Sequence, residues 1–198
     1  MKKVLPATYS LIPDNAERVF KGVIFDVYQW PQKMFDGSTQ TFEMLRRPDT
    51  VQILVVRDKQ ILLVEDEQPG RTMRTHFPGG RADDHEPDWQ TAAKRELLEE
   101  TGLQCANWRL IDSYQPIVKI EWFAPIFLAT DITHQGRQNV DADGEKITLQ
   151  WQDFNTVRAN VLSGQEQTMQ YLMPFFNRIK TLGELLALPE FKGKIVDR

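Results

Sequence analysis

Residues 79–103 read GGRADDHEPDWQTAAKRELLEETGL, and the rest of the predicted fold is arranged around this stretch. It opens with two glycines, continues through an acidic loop and then becomes strongly helix-forming. Asp88 is typical of a helix N-cap, and Gly102 is typical of the left-handed residue that follows a helix. The stretch therefore predicts a loop, a helix and a sharp stop.

The predicted helix sorts its side chains onto separate faces, because residues three and four apart lie on one side of a helix. One face carries an apolar stripe of Trp89, Ala93 and Leu97. Another face carries three acids, Glu96, Glu99 and Glu100. Like charges at this spacing repel one another, so their clustering calls for a compensating cation.

A divalent metal ion is the obvious cation for these acids. Mg²⁺ prefers oxygen ligands, typically one or two carboxylates together with water and substrate phosphate oxygens. The glycine loop can add the backbone carbonyl of Gly79, and Arg95 can hold a neighbouring carboxylate by a charge-assisted hydrogen bond. On the count of acids alone, a solvated charged helix face is the more common explanation.

The full pattern is more specific, because it resembles the Nudix box. All nine defined positions of that motif are present: Gly80, Glu86, Arg95, Glu96, Leu97, Glu99, Glu100, Gly102 and Leu103. Eight residues separate Glu86 from Arg95, where the family has seven. We place the extra residue at the junction of loop and helix, so that the helical acids stay in register. The resemblance implies a Mg²⁺ site, with Mn²⁺ as a substitute, formed by Gly79, Glu96, Glu99 and Glu100.

Composition narrows the class of protein. The 198 residues carry 41% hydrophobic and 26% charged side chains, which is ordinary for a globular protein. A net charge of −4 argues against nucleic acid or an anionic membrane as the partner. No apolar run approaches the roughly 18 residues of a membrane span. The single Cys105 suits a reducing compartment, so we expect a cytoplasmic protein.

The order of predicted elements indicates two parts, an N-terminal β-element over residues 1–48 and a main domain over residues 49–198. Residues 1–17 show no periodicity, and the tail from Pro189 is expected to be peripheral. The predicted strands are 20–30, 39–46, 50–56, 60–65, 108–114, 121–130 and 146–151, with a long polar loop over 131–145. The predicted helices after the box are 155–162 and 168–186, the latter interrupted by Pro174. This order fits the α/β/α sandwich with a mixed sheet that the Nudix resemblance implies.

The metal-dependent hydrolysis that the Nudix resemblance implies also needs a base that activates water. Two places in the sequence can supply this base. Glu121 lies five residues after Pro116, in a segment similar to one in ADP-ribose pyrophosphatases, although an exposed residue at a strand end is an equal alternative. Asp143 and Glu145 resemble an acidic loop of the same enzymes, and Glu145 is slightly favoured. One alternative for that loop is a solvated acidic turn. A calcium-binding loop is a weaker alternative, because the twelve-residue ligand pattern is missing.

The N-terminal hairpin strengthens the comparison with the ADP-ribose and nucleoside-diphosphate-sugar pyrophosphatase group. There the added domain forms dimers and brings aromatic and arginine side chains to the active site. By that resemblance Tyr28 or Trp30 would stack on a base, and Arg46 or Arg47 would bind phosphate, although such residues are more often packing and surface residues. Arg71 lies shortly after the position at which these enzymes usually have a further arginine. A homodimer through the N-terminal element is therefore expected.

The resulting hypothesis is a Mg²⁺-dependent pyrophosphohydrolase that cleaves a nucleotide sugar, with ADP-ribose or an ADP-sugar favoured, into a nucleoside monophosphate and a sugar phosphate. One alternative is a Nudix enzyme acting on UDP-glucose or a non-standard nucleoside triphosphate. A nucleotide sensor that binds without turnover is an alternative from another class.

Overall fold

The computed structural model describes residues 1–67, 70, 72–136 and 146–197. The strands in these residues are β1 (Lys2–Leu5), β2 (Glu17–Lys21), β3 (Asp26–Lys33), β4 (Thr39–Arg46), β5 (Gln52–Arg57), β6 (Gln60–Glu67), β7 (Arg74–His76), β8 (Leu103–Tyr114), β9 (Ile120–Glu121), β10 (Ala124–Gln135), β11 (Lys146–Asp153) and β12 (Lys194–Asp197). The helices are α1 (Trp89–Thr101), α2 (Phe154–Ser163), a 3-10 helix (Gln167–Leu172), α3 (Met173–Arg178) and α4 (Leu182–Ala187). In the described part of the chain, none of these helices has the length and apolar character to cross a membrane.

A mixed sheet forms the centre of the molecule. Its strand order is β11-β6-β5-β10-β8, with β7 paired to β6. The pair β5–β10 is parallel, and the other pairs are antiparallel. One face packs on α1 through Trp89, Ala93 and Leu97, and the other packs on α2 to α4. Helices therefore cover both faces of the sheet, and the predicted α/β/α sandwich is confirmed.

Helix α1 begins and ends where its sequence predicts. The Asp88 carboxylate accepts a hydrogen bond from the backbone N–H of Thr91 at 2.8 Å, which caps the first turn. Gly102 adopts a left-handed conformation with φ of 69°, and its N–H donates to the Leu98 carbonyl at the last turn. Between the caps, Trp89, Ala93 and Leu97 are at most 2% exposed. Because the apolar stripe packs into the core, it also determines which face of α1 points away from the core.

The N-terminal element is a separate sheet with the order β2-β3-β4-β9. The predicted N-terminal hairpin, formed by the strands before and after residues 34–38, is confirmed as β3 and β4. The predicted continuous strand over residues 20–30 is wrong, because a turn closed by a hydrogen bond from the Gly22 N–H to the Phe25 carbonyl separates β2 from β3. Strand β9 belongs to the later part of the chain, so the sheet joins both predicted segments.

Several boundaries differ from the prediction because they depend on distant partners. The sequence shows no periodicity over residues 1–17 and predicts a peripheral tail, but β1 and β12 pair with each other as an antiparallel ribbon. Strand β10 continues to Gln135 instead of ending at residue 130, because β8 pairs with it along its length. Pro174 lies in the first turn of α3, so the region 168–186 forms three short helical segments instead of one interrupted helix.

Candidate active site

The glycine loop places the backbone against the acidic face of α1. The carbonyls of Pro78 and Gly80 accept hydrogen bonds from β5 and the residue before it, whereas the Gly79 N–H donates to the Glu100 carboxylate at 2.9 Å. The Gly79 N–H therefore points toward the helical acids. The loop thus places the Gly79 backbone beside the helical acids.

Arg95 is the centre of the acidic cluster. Its Nε donates to Glu86 at 3.0 Å, and its Nη1 donates to both Glu96 and Glu99 at 2.9 Å. Glu86 is 5% exposed and also accepts the N–H of Asp83 at 2.8 Å. The residue inserted before the helix therefore does not separate Glu86 from Arg95. The structure brings together Glu96, Glu99, Glu100, Gly79 and Arg95, as the sequence predicts.

The electrostatics of the cluster favour cation binding. Burial raises the pKa of Glu96, Arg95 opposes this effect, and the charges of Glu99 and Glu86 raise the pKa further. Burial alone would lower the pKa of Arg95, but its hydrogen bonds to the carboxylates raise it overall. One arginine thus forms hydrogen bonds with three carboxylates and lies 3.9 Å from a fourth, that of Asp83. A divalent cation would supply the positive charge that the acidic face still lacks.

The donor set fits a hard cation. Carboxylate oxygens and a glycine carbonyl are the ligands that Mg²⁺ prefers. In the described part of the chain, the observed side-chain conformations do not gather three His, Cys, Asp or Glu side chains around one point. Instead Glu96 and Glu99 turn to Arg95. Glu96, Glu99, Glu100 and the Gly79 carbonyl are the residues that could hold the ion.

The two glycines of the loop predict contrasting mutant properties. A Cβ at Gly80 would lie 2.5 Å from Glu96 Oε2, which belongs to a flexible side chain. We expect Gly80→Ala to keep the fold but displace this carboxylate, lowering activity about 10- to 100-fold, as the loss of a group that positions a candidate metal ligand typically does. A Cβ at Gly79, where φ is 148°, would instead meet the backbone carbonyl of Val51.

The matched variant Gly79→Ala should therefore unfold at a clearly lower urea concentration than the wild type. Neither the Gly79 backbone nor the Val51 backbone can move aside without a large cost in free energy. Urea denaturation and initial rates on both variants check these expectations. Equal stability of the two variants, or full activity of Gly80→Ala, would contradict the described geometry.

The predicted substrate residues of the N-terminal sheet lie in different surroundings. Arg46 pairs with Glu121 at 2.6 Å, and its guanidinium lies 5.0 Å from the centre of the Tyr28 ring. Arg47 stacks on Trp122 at 4.6 Å. Trp30 is 8% exposed and packs with Phe42 inside the sheet. Within this chain, the structure brings Tyr28 and Arg46 together and leaves Trp30 in a packing position.

Three predicted site residues, Arg71, Asp143 and Glu145, lie outside the described residues. Glu121 lies within them but is 2% exposed, with both carboxylate oxygens engaged by Arg46 and by the N–H of Ile12. The alternative of an exposed residue at a strand end is therefore wrong for Glu121.

A cavity of about 400 Å³ lies between the N-terminal sheet and the loop before α1. Arg46, Arg47 and Glu121 line it on one side, and Ala82 and Asp84 of the box line it on the other. A cleft of about 500 Å³ at edge strand β8 is lined by none of the helical acids. The smaller cavity therefore holds predicted site residues of the N-terminal sheet and reaches the loop of the box, but the helical acids are not among the residues that line it.

Asp49 is predicted from the sequence only as a domain boundary, and sequence reasoning misses its role in the site. Its buried carboxylate accepts hydrogen bonds from Trp89 Nε1 and the Phe123 N–H, both at 2.8 Å, and pairs with Lys3 Nζ at 2.8 Å. It thereby fixes the first residue of α1 to the residue before β10. The signal in the sequence is an acid shortly before an apolar strand, which does not reveal distant partners.

Comparisons with known proteins agree with this geometry. A family model described as "NUDIX domain" matches residues 46–172. No curated protein matches the sequence. Among solved structures, one described as "Crystal structure of ADP compounds hydrolase" superposes with a TM-score of 0.61 at 17% identity, covering 86% of this chain and 98% of the other. At this identity the likeness shows the fold, and the family model spans more than half of the chain. The chain therefore belongs to the Nudix family and is a Nudix hydrolase.

Proposed function

We propose that this Nudix hydrolase uses Mg²⁺, or Mn²⁺ in its place, to cleave the diphosphate of a nucleotide sugar. ADP-ribose or an ADP-sugar is the favoured substrate, and a nucleoside monophosphate and a sugar phosphate are the products. The observation that carries this proposal is the pairing of Arg95 with the half-buried Glu96 and with Glu99 on the same helix as Glu100, which accepts a hydrogen bond from the Gly79 N–H. Such an all-oxygen site, on the same side of the box as a cavity lined by Arg46 and Arg47, suits a diphosphate.

We assign different roles in the reaction to different residues of the chain. Glu96, Glu99 and Glu100 hold the ion, and Arg95 keeps the carboxylates in place until it binds. When bound, Mg²⁺ neutralises charge on phosphoryl oxygens and lowers the pKa of a bound water. We assign removal of a proton from the attacking water to Glu145, with Asp143 as the second candidate, because Glu121 is held by Arg46.

The choice of a nucleotide sugar is supported by the cavity beside the box. Arg46 lines this cavity with a guanidinium that suits bidentate contact with phosphate, and Tyr28, whose ring centre lies 5.0 Å from that guanidinium, is an aromatic ring of the kind that stacks on a base. Both belong to the N-terminal element, which we propose spans residues 1–48 and serves substrate binding, while residues 49–198 form the hydrolase domain. Arg71 is proposed as a further contact. The similar solved structure is described as a hydrolase of ADP compounds, which agrees with this choice.

Product analysis on a substrate panel tests the proposed function. The panel contains ADP-ribose, ADP-glucose, UDP-glucose and an oxidised nucleoside triphosphate, each with Mg²⁺, with Mn²⁺ and with EDTA. We expect AMP and ribose 5-phosphate from ADP-ribose at the highest kcat/KM and no product in EDTA. Preference for UDP-glucose or the triphosphate would reject the substrate assignment, and binding without turnover would identify a sensor.

We propose that the protein is cytoplasmic and forms a homodimer through the N-terminal element. Strand β2 is an exposed sheet edge, and the apolar residues in and after it are uncovered: Val19 is 47% exposed, Phe20 60%, Val23 101% and Ile24 57%. A contiguous apolar edge favours pairing with a second copy. Sedimentation should show a dimer that Phe20→Glu dissociates at least tenfold more readily. A wild type that stays monomeric at about 100 µM, near the weak end of specific association, would contradict it.

A further inference from the structure

A buried carboxylate joins the N-terminal element to the hydrolase domain. Glu121 lies at the end of β9, which pairs in parallel with the end of β4, so that Glu121 stands beside Arg46. Its Oε1 accepts hydrogen bonds from Arg46 Nη2 at 2.6 Å and Nε at 3.1 Å, and its Oε2 accepts the Ile12 N–H at 2.6 Å. Glu121 thereby fixes the guanidinium through two nitrogens.

The fixed guanidinium in turn determines the position of Tyr28. Arg46 Nη1 approaches the Tyr28 hydroxyl at 3.4 Å, and its carbon Cζ lies 5.0 Å from the ring centre. The Arg46 side chain is 35% exposed, so one edge remains accessible from the cavity while the other faces Glu121. A flexible arginine would lose side-chain entropy on binding phosphate, whereas a prearranged one loses less.

From this geometry we propose that Glu121 is a positioning residue for substrate affinity, which holds Arg46 against Tyr28 at the cavity, and that it does not activate water. The proposal rests on the proposed function, in which Arg46 and Tyr28 contact the nucleotide sugar. Its Oε1 and Oε2 both hold groups of the N-terminal element, and a base must instead reach a water at the metal site.

The test separates affinity from catalysis. For Glu121→Gln, we expect KM for ADP-ribose with Mg²⁺ to rise about 10- to 100-fold while kcat stays within about threefold, the pattern of lost uniform binding. The dissociation constant of ADP-ribose in EDTA should rise by a similar factor. Glu43→Gln is the matched control, because Glu43 is an exposed acid on β4 that accepts a hydrogen bond from the amide of Gln29 on the neighbouring strand. Both constants should be unchanged in this control.

A double-mutant cycle identifies the route of the effect. Because Glu121 acts through Arg46, the increases in KM for Glu121→Gln and Arg46→Met should fail to multiply in the double variant. Glu121→Asp should restore part of the affinity. Partial unfolding alone would lower the apparent kcat and leave KM unchanged, so this readout distinguishes positioning from simple loss of structure.

Several outcomes would overturn the proposal. If Glu121→Gln lowered kcat by about 100-fold or more at constant KM, Glu121 would be the base, and unchanged constants would show that Arg46 needs no support. Independent, multiplying effects in the cycle would also contradict it. A wild type that binds ADP-ribose without hydrolysing it would reject the proposed function alone, and the dissociation constants would still decide about Glu121. A wild type that does not bind ADP-ribose would reject both.

Discussion

Replacing Glu100 by glutamine is expected to slow Mg²⁺-dependent hydrolysis about 1000-fold at saturating substrate, equivalent to about 4 kcal/mol of transition-state stabilisation. Glutamine keeps an oxygen that can accept the Gly79 N–H, now 2.9 Å from the carboxylate, but it removes the negative charge that a metal ligand needs. The free energy of unfolding should therefore change by less than about 1 kcal/mol. Initial rates and urea denaturation measure the two effects.

Lys94→Gln is the control for this variant. Lys94 is exposed on a different face of α1, so its replacement removes one charge from the same helix without touching the acids. Its rate should equal that of the wild type. Activity of Glu100→Gln within about threefold of the wild type would contradict the assignment of Glu100 as a metal ligand.

Replacing Arg95 by methionine is expected to damage both stability and activity. Methionine preserves much of the apolar stem but leaves the 5% exposed Glu86 without its cation and removes the hydrogen bonds to Glu96 and Glu99. Loss of one partner from a buried ion pair typically costs about 3–5 kcal/mol. Arg95 itself is 30% exposed, so we expect the lower end, about 3 kcal/mol. The rate should fall about 100-fold or more, as with other lost positioning residues.

Arg81→Met provides the comparison for stability. Arg81 pairs with Asp83 at 2.7 Å, but its side chain is 62% exposed, and a surface pair contributes at most about 1 kcal/mol. Urea denaturation of both variants should therefore show a clearly larger loss in the free energy of unfolding for Arg95→Met than for Arg81→Met. Equal losses in Arg95→Met and Arg81→Met would show that Arg95 does not organise the carboxylates.

The sequence predicts α1 and its acids well because their determinants are local. Asp88 and Gly102 define the ends of the helix by their own conformations, and the spacing of Glu96, Glu99 and Glu100 places them on one face whatever surrounds it. The same locality explains why the sequence alone pairs Arg95 with nearby acids. These parts of the site can therefore be predicted without knowing which distant residues contact them.

Other features depend on pairings between distant residues, which periodicity does not encode. Strand β1 finds β12 at the other end of the chain, and β9 joins β4 across more than seventy residues. The sequence makes Glu121 a candidate base because of its place after Pro116, but the partner that engages it, Arg46, lies 75 residues away. The turn at Gly22–Phe25 escapes prediction because its flanking residues are typical of strands.

A crystal soaked in Mn²⁺ and measured at an anomalous wavelength tests the central claim most directly, since Mn²⁺ takes the oxygen ligands that Mg²⁺ takes. We expect an anomalous peak bounded by the Gly79 carbonyl and the carboxylates of Glu96, Glu99 and Glu100, with Arg95 displaced from at least one of them. The peak should be absent in Glu100→Gln. A wild-type crystal with no peak on this face of α1, or with its strongest peak elsewhere, would contradict the account.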